Sequence, residues 1–125
     1  MRRDVIGLIV AAILTIGAVY SGLPEWLGAH PKFAGKIAIG GVLSGAVLAV
    51  LVRYWRAAPV VKAGLAGLAL VLAFTVAKVG GHRFAASYAE DAFAGKMWFF
   101  GWIATGAAGF LVVFLLFGLV MSRRA

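Results

Sequence analysis

Two histidines and four acids are the side chains of this sequence able to ligate a metal or carry a proton near neutral pH. Metal ligation from a helix usually shows as a second ligand about one turn away. His30 and His82 lie far apart, and neither has an H-x-x-x-H or H-x-x-E partner. Glu25 and the adjacent pair Glu90-Asp91 are the nearest carboxylates in kind. Neighbouring residues on a helix face different ways, whereas general acid–base work needs both carboxyls on one substrate. These residues therefore read as solvated loop groups, with Arg83 and Lys96 nearby as counter-charges. The chain has no cysteine. No P-loop or dinucleotide fingerprint occurs. The residues call for no catalytic group, no metal and no cofactor, so a non-enzymatic protein is expected.

The composition explains why chemistry is so sparse. Of 125 residues, 64% are hydrophobic and 13% charged, and the mean hydropathy is +1.04. An ordinary soluble domain is about half apolar and about a quarter charged. A soluble globular domain, a disordered tail and a fibrous protein are excluded on that ground. The net charge of +8 would suggest nucleic acid in a soluble protein. Here the cations sit in short clusters between apolar runs, which is the pattern of membrane interfaces. No nucleic-acid partner is expected.

Four apolar runs emerge. Val5 to Leu23 carries no charge and is long enough to span about 30 Å of hydrocarbon. It exceeds a signal-peptide core of roughly 7–15 residues, so a retained span is expected over 5–23. A second span is expected over 35–54, ending at the basic and aromatic Arg53-Tyr54-Trp55-Arg56. A third runs over 59–79, with Pro59 in its first turn and Gly80-Gly81 as its stop. A fourth covers 97–121, between Trp98 and the pair Arg123-Arg124. Between the last two, residues 83–94 can form a short surface helix with Phe84, Tyr88 and Ala92 on one side. The fold expected is an all-α integral membrane protein. Its four transmembrane helices form one antiparallel up-down bundle over residues 1–125.

Charge sets the orientation. With the N-terminus inside, the inner side holds Arg2, Arg3, Arg53, Arg56, Lys62, Arg123 and Arg124, and the outer side Lys32, Lys36, Lys78, Arg83 and Lys96. Six of the seven arginines then fall inside, which favours cytoplasmic termini. Short loops and this charge pattern suit a bacterial inner (cytoplasmic) membrane.

Inside the spans, small residues repeat at four-residue spacing. They are Gly41, Gly45 and Ala49 in the second span, Ala69, Ala73 and Ala77 in the third, and Gly101, Thr105 and Gly109 in the fourth. The first span adds Gly7, Ala11 and Thr15. Such spacing lets helix backbones approach closely, and packing drives association in lipid. The seam can close one bundle or join it to another chain. Phe110, Phe114 and Phe117 share a face of the fourth span and suit packing or lipid contact. Arg53, Tyr54, Trp55 and Arg56 anchor the topology and can bind anionic lipid head groups or a partner.

In length and in its four spans the chain resembles the small multidrug transporters, whose first span carries a glutamate. The first span here offers only Thr15, Tyr20 and Ser21 as polar side chains, so the likeness stops at the gross plan. Small phage holins are similar in being short, multi-spanning and basic at the C-terminus, as Arg123 and Arg124 are here. The glycine-rich stretch Gly40-Gly41, Ser44-Gly45 before Arg53-Tyr54 differs in spacing from that of the small fluoride channels.

The function expected is a helix-packing subunit that assembles or stabilises a membrane complex, its partners being other membrane subunits or copies of itself. The alternative is a homo-oligomeric channel, transporter or holin-like pore. Thr15, Ser44, Thr75 and Thr105 are the polar mid-span residues that could line it.

Overall fold

The protein is described by a computed structural model covering residues 2–124. Those residues form an all-helical structure. Four long helices are α1 (Arg2–Tyr20), α3 (Ala34–Tyr54), α4 (Pro59–Ala86) and α5 (Ala92–Arg124); a short α2 (Leu23–Trp26) and a 3-10 turn (Pro31–Phe33) lie between the first two. The four long helices are each long and apolar enough to cross a membrane.

Local chemistry explains the boundaries. Gly22 takes φ +90°, a left-handed backbone that glycine adopts without strain. It separates α1 from α2, whose first turn holds Pro24. Helix α1 therefore stops at Tyr20, three residues before the end of its apolar run. At the other long connection, Gly80-Gly81 does not stop α4. A Cβ on Gly80 would lie 2.5 Å from the Trp98 backbone nitrogen, so the glycine is there for contact. Helical packing outweighs the modest propensity cost, and α4 continues to Ala86. Residues 83–94 consequently divide into the end of α4, a turn and the start of α5, without a separate surface helix. Ser87 closes the turn, its Oγ donating to the Phe84 carbonyl at 2.9 Å and accepting from the Asp91 N–H at 2.9 Å. Asp91 caps α5, its Oδ1 accepting from the Ala94 N–H at 3.0 Å.

Helix α5 organises the bundle. It packs against α4, α3 and α1, and α1 also packs against α3. Large side chains such as Ile13, Leu43 and Leu72 lie exposed around the outside, as lipid-facing positions do. Two buried clusters fill the interior. One gathers Ala11, Ala49, Ala66, Phe110, Leu111 and Phe114. The other gathers Val19, Ala29, Ile37, Ala38, Ala77 and Trp102. The first lies toward the end where Asp4 and Arg53 meet, the second toward the end that holds Trp98.

The seams are tight because glycine and alanine meet there. Gly41 of α3 faces the backbone of Gly106, with 3.1 Å left for a Cβ. Gly45 faces the Phe110 side chain at 2.7 Å. Across the other side of α5, Gly101 meets the backbone of Ala77 at 2.7 Å. Adding a methyl at such places forces the helices apart, at a typical cost of about 1–3 kcal/mol.

Candidate functional site: an apolar cleft under a polar tie

A cleft of about 600 Å³ opens between α1 and α4, with α5 as its floor. Leu14, Thr15, Ala18 and Val19 form one wall, and Leu70, Val71 and Phe74 the other. Trp102, Thr105, Gly106, Gly109 and Val113 line the floor. Leu23, Pro24 and Leu27 of the α2 segment cover one end. None of the lining residues is charged.

The cover is tied across the cleft by two long-range hydrogen bonds. Lys78 Nζ of α4 donates to the Leu27 carbonyl at 2.8 Å. Trp98 Nε1 of α5 donates to the Gly28 carbonyl at 2.9 Å. Gly28 supplies the sharp turn that exposes these carbonyls, with φ +112°. Both bonds come from side chains just where a span meets its interface. A lysine whose stem lies along apolar surface can reach such a carbonyl while its head stays near water. An aromatic cluster backs the tie. Trp98 meets Phe33 edge-on at 5.0 Å between centroids, and His30 at 5.8 Å. Phe84 lies 5.7 Å from the same indole.

One buried polar atom of a floor residue lacks a partner among the described residues. Trp102 is 3% exposed, and its Nε1 is buried with no acceptor among the described residues. Such a donor costs about 1–3 kcal/mol when left unmade. Its ring stands edge-on to Phe74, 5.7 Å between centroids and 89° between planes. Glu25 Oε2, in α2, is the other buried side-chain atom without a hydrogen-bond partner among the described residues.

The residues singled out by sequence fall into three groups. Gly41, Gly45, Ala49 and Gly101 lie in seams within the chain, joined by Ala77. Thr105 and Gly109 lie on the cleft floor instead. Nothing lies within 4 Å of a Cβ built on Gly109. Ala69 faces outward and Ala73 is half-buried; on α4 the fully buried small residues are Ala66, Ala77 and Gly80.

At the opposite end, Arg53 Nη1 pairs with Asp4 Oδ2 at 3.2 Å, each side chain 35% exposed. The Arg53 guanidinium also lies 5.7 Å from the Tyr54 ring centroid. Tyr54, Trp55 and Arg56 are exposed. Arg53 thus bonds within the chain while its neighbours face outward. A smaller cavity of about 220 Å³ lies beside it, with Arg3, Lys62 and Ser122 in its lining.

His30 and His82 line one cavity of about 570 Å³ beside Trp98 and Lys78. His30 Nδ1 accepts the Lys32 backbone N–H at 3.0 Å, so the ring caps the 3-10 turn. Among the described residues no three His, Cys, Asp or Glu side chains are grouped to hold a metal. Glu90 is exposed, while Asp91 serves as the α5 cap.

The polar mid-span residues do not share one lining. Thr15 and Thr105 belong to the cleft, and Ser44 and Thr75 are exposed on α3 and α4. Thr105 Oγ1 donates to the Gly101 carbonyl at 2.7 Å, and Thr75 Oγ1 to the Val71 carbonyl at 2.8 Å. These bonds keep hydroxyls satisfied in an apolar setting.

Sequence reasoning passed over Trp102, Lys78 and Asp4 as site residues. Trp102 lies one turn beyond Trp98, a spacing that places both on one helix side. Asp4 was legible as the lone acid in a basic end. Nothing local marks the Lys78–Leu27 bond, whose partners lie 51 residues apart.

No protein-family model, curated protein or solved structure matches this chain.

Proposed function

We propose that this protein is a small non-enzymatic membrane subunit that assembles or stabilises a larger membrane complex by helix packing, with α4 as its docking side. The observation that carries this reading is how little of the apolar stretch of α4 is buried, although the helix packs closely on α5. Only 11% of its apolar window is buried, against 28% for α5. On its surface Gly64 and Gly67 meet nothing within 4 Å of an added Cβ. Flush glycines of this kind let a second helix approach closely.

In this reading the four helices alternate in direction across a bacterial inner membrane. Both termini face the cytoplasm, where most arginines then lie. Tyr54, Trp55 and Arg56, exposed beside Arg53, contact anionic head groups or a cytoplasmic part of the partner.

The experiment is native mass spectrometry of the complex extracted in mild detergent. Different polypeptides at fixed stoichiometry, released by Gly64→Leu with Gly67→Leu, support a subunit. A pure homo-oligomer that conducts solute in liposomes replaces this reading with the pore. A monomer rejects both.

A further inference from the structure

The cleft between α1 and α4 shares its α4 wall, Val71 and Phe74, with the helix stripe that carries Gly64 and Gly67, and it has a chemistry of its own. We propose that it binds a membrane quinone: an uncharged planar ring with carbonyl acceptors, carried on a long hydrocarbon tail. Three observations select that ligand.

The first is shape. The cleft is about 600 Å³. One end is covered by Leu23, Pro24 and Leu27, and the cover is held by the Lys78 bond to the Leu27 carbonyl. A spanning helix would have to pass through that cover to run its full length of about 30 Å. A slim chain lying along Leu14, Gly109 and Val113 would not.

The second is charge. No charged side chain lines the cleft. A phosphate drawn under the cover would lose its hydration without a compensating cation, so the head group must be neutral.

The third is the Trp102 indole. Its Nε1–H is the one buried side-chain donor without an acceptor among the described residues, and its ring lines the cleft. That N–H is itself buried, so the ring must turn for it to meet an incoming carbonyl. Thr105 offers no competing proton, because its hydroxyl already donates to the Gly101 carbonyl. Phe74 stands edge-on to the indole, and this aromatic pair offers stacking and edge contacts to a planar ring. A simple alkane satisfies the walls and leaves the donor unmade. A quinone satisfies both.

The test is isothermal titration of the purified protein in mild detergent with a benzoquinone carrying a decyl tail. One saturable site per chain is expected. Trp102→Phe keeps an aromatic ring beside Phe74 but removes the donor, and weakens binding about threefold to tenfold, the worth of one neutral hydrogen bond. Gly109→Leu fills the floor where a Cβ meets nothing and abolishes binding. Val47→Phe, on the exposed side of α3, leaves it unchanged. If Gly109→Leu fails to fold, Trp102→Phe and the competitors decide. Absence of saturable binding overturns the proposal. So does equal binding of decane, displacement of the quinone by phosphatidylglycerol, or an affinity that Trp102→Phe does not change.

Discussion

Helix α5 carries glycines on two faces, and they do opposite things. Toward α4, Gly101 sits 2.7 Å from the Ala77 backbone, measured to the Cβ it lacks. Toward the gap between α1 and α4, Gly109 has no neighbour within 4 Å of the same construction. The first glycine exists to let two backbones touch. The second leaves room. Both belong to the same Gly101-x-x-x-Thr105-x-x-x-Gly109 run, so spacing alone treats them alike. The difference is set by what lies opposite: a buried alanine on α4 in one case, and the cleft between two helices in the other.

The largest effect expected from breaking this contrast is at the tight side. Gly80→Leu drives a side chain into the Trp98 backbone, where even the Cβ would sit 2.5 Å away. A loss of about 3 kcal/mol or more is expected from overpacking against backbone that cannot move aside. The readout is loss of the monodisperse detergent-solubilised species, or a large drop in its melting temperature. Gly45→Ala is milder, because it meets the Phe110 side chain at 2.7 Å. A cost of about 1–3 kcal/mol is expected, read from the same melt.

Removing the tie comes next. Trp98→Phe deletes the bond to the Gly28 carbonyl and costs about 1 kcal/mol. Faster amide exchange in residues 27–30 would locate the effect at the cover. Unchanged exchange there would show that Lys78 holds it alone. Asp4→Asn breaks the ion pair with Arg53. Both side chains are about a third exposed, so less than about 1 kcal/mol is expected, fading with added salt. The smallest effect is at the open side. Gly109→Ala should shift stability by no more than about 0.5 kcal/mol in either direction. A cost as large as that of Gly45→Ala would erase the distinction between the two faces.

How much of this was legible in sequence follows the same division. The four spans were readable because apolar runs in a basic, cysteine-free chain leave few other solutions. Their ends were less so. The Gly80-Gly81 pair carries the composition of a helix stop, yet Trp98 occupies the space above it and the helix runs on. The small-residue motif marked the right residues on α3 and mixed two environments on α5. For α4 it marked Ala69, Ala73 and Ala77, of which Ala77 is buried, beside Ala66 and Gly80 that the motif did not mark. A helix offers several small-residue stripes, and only the partner decides which one packs. The cleft was not legible at all. It is bounded by residues from α1, α2, α3, α4 and α5, and depends on two helices not meeting.

The dependence of α1, α3 and α4 on α5 has a consequence for how the protein is made. The ribosome delivers the common partner after the other three long helices. Until α5 enters the membrane, α4 has yet to meet its main neighbour, and α1 has α3 and the short α2 beside it. Until then the nascent chain holds helices already inserted but not yet gathered. Truncation before α5 would strand them in that condition, as substrates for membrane quality control.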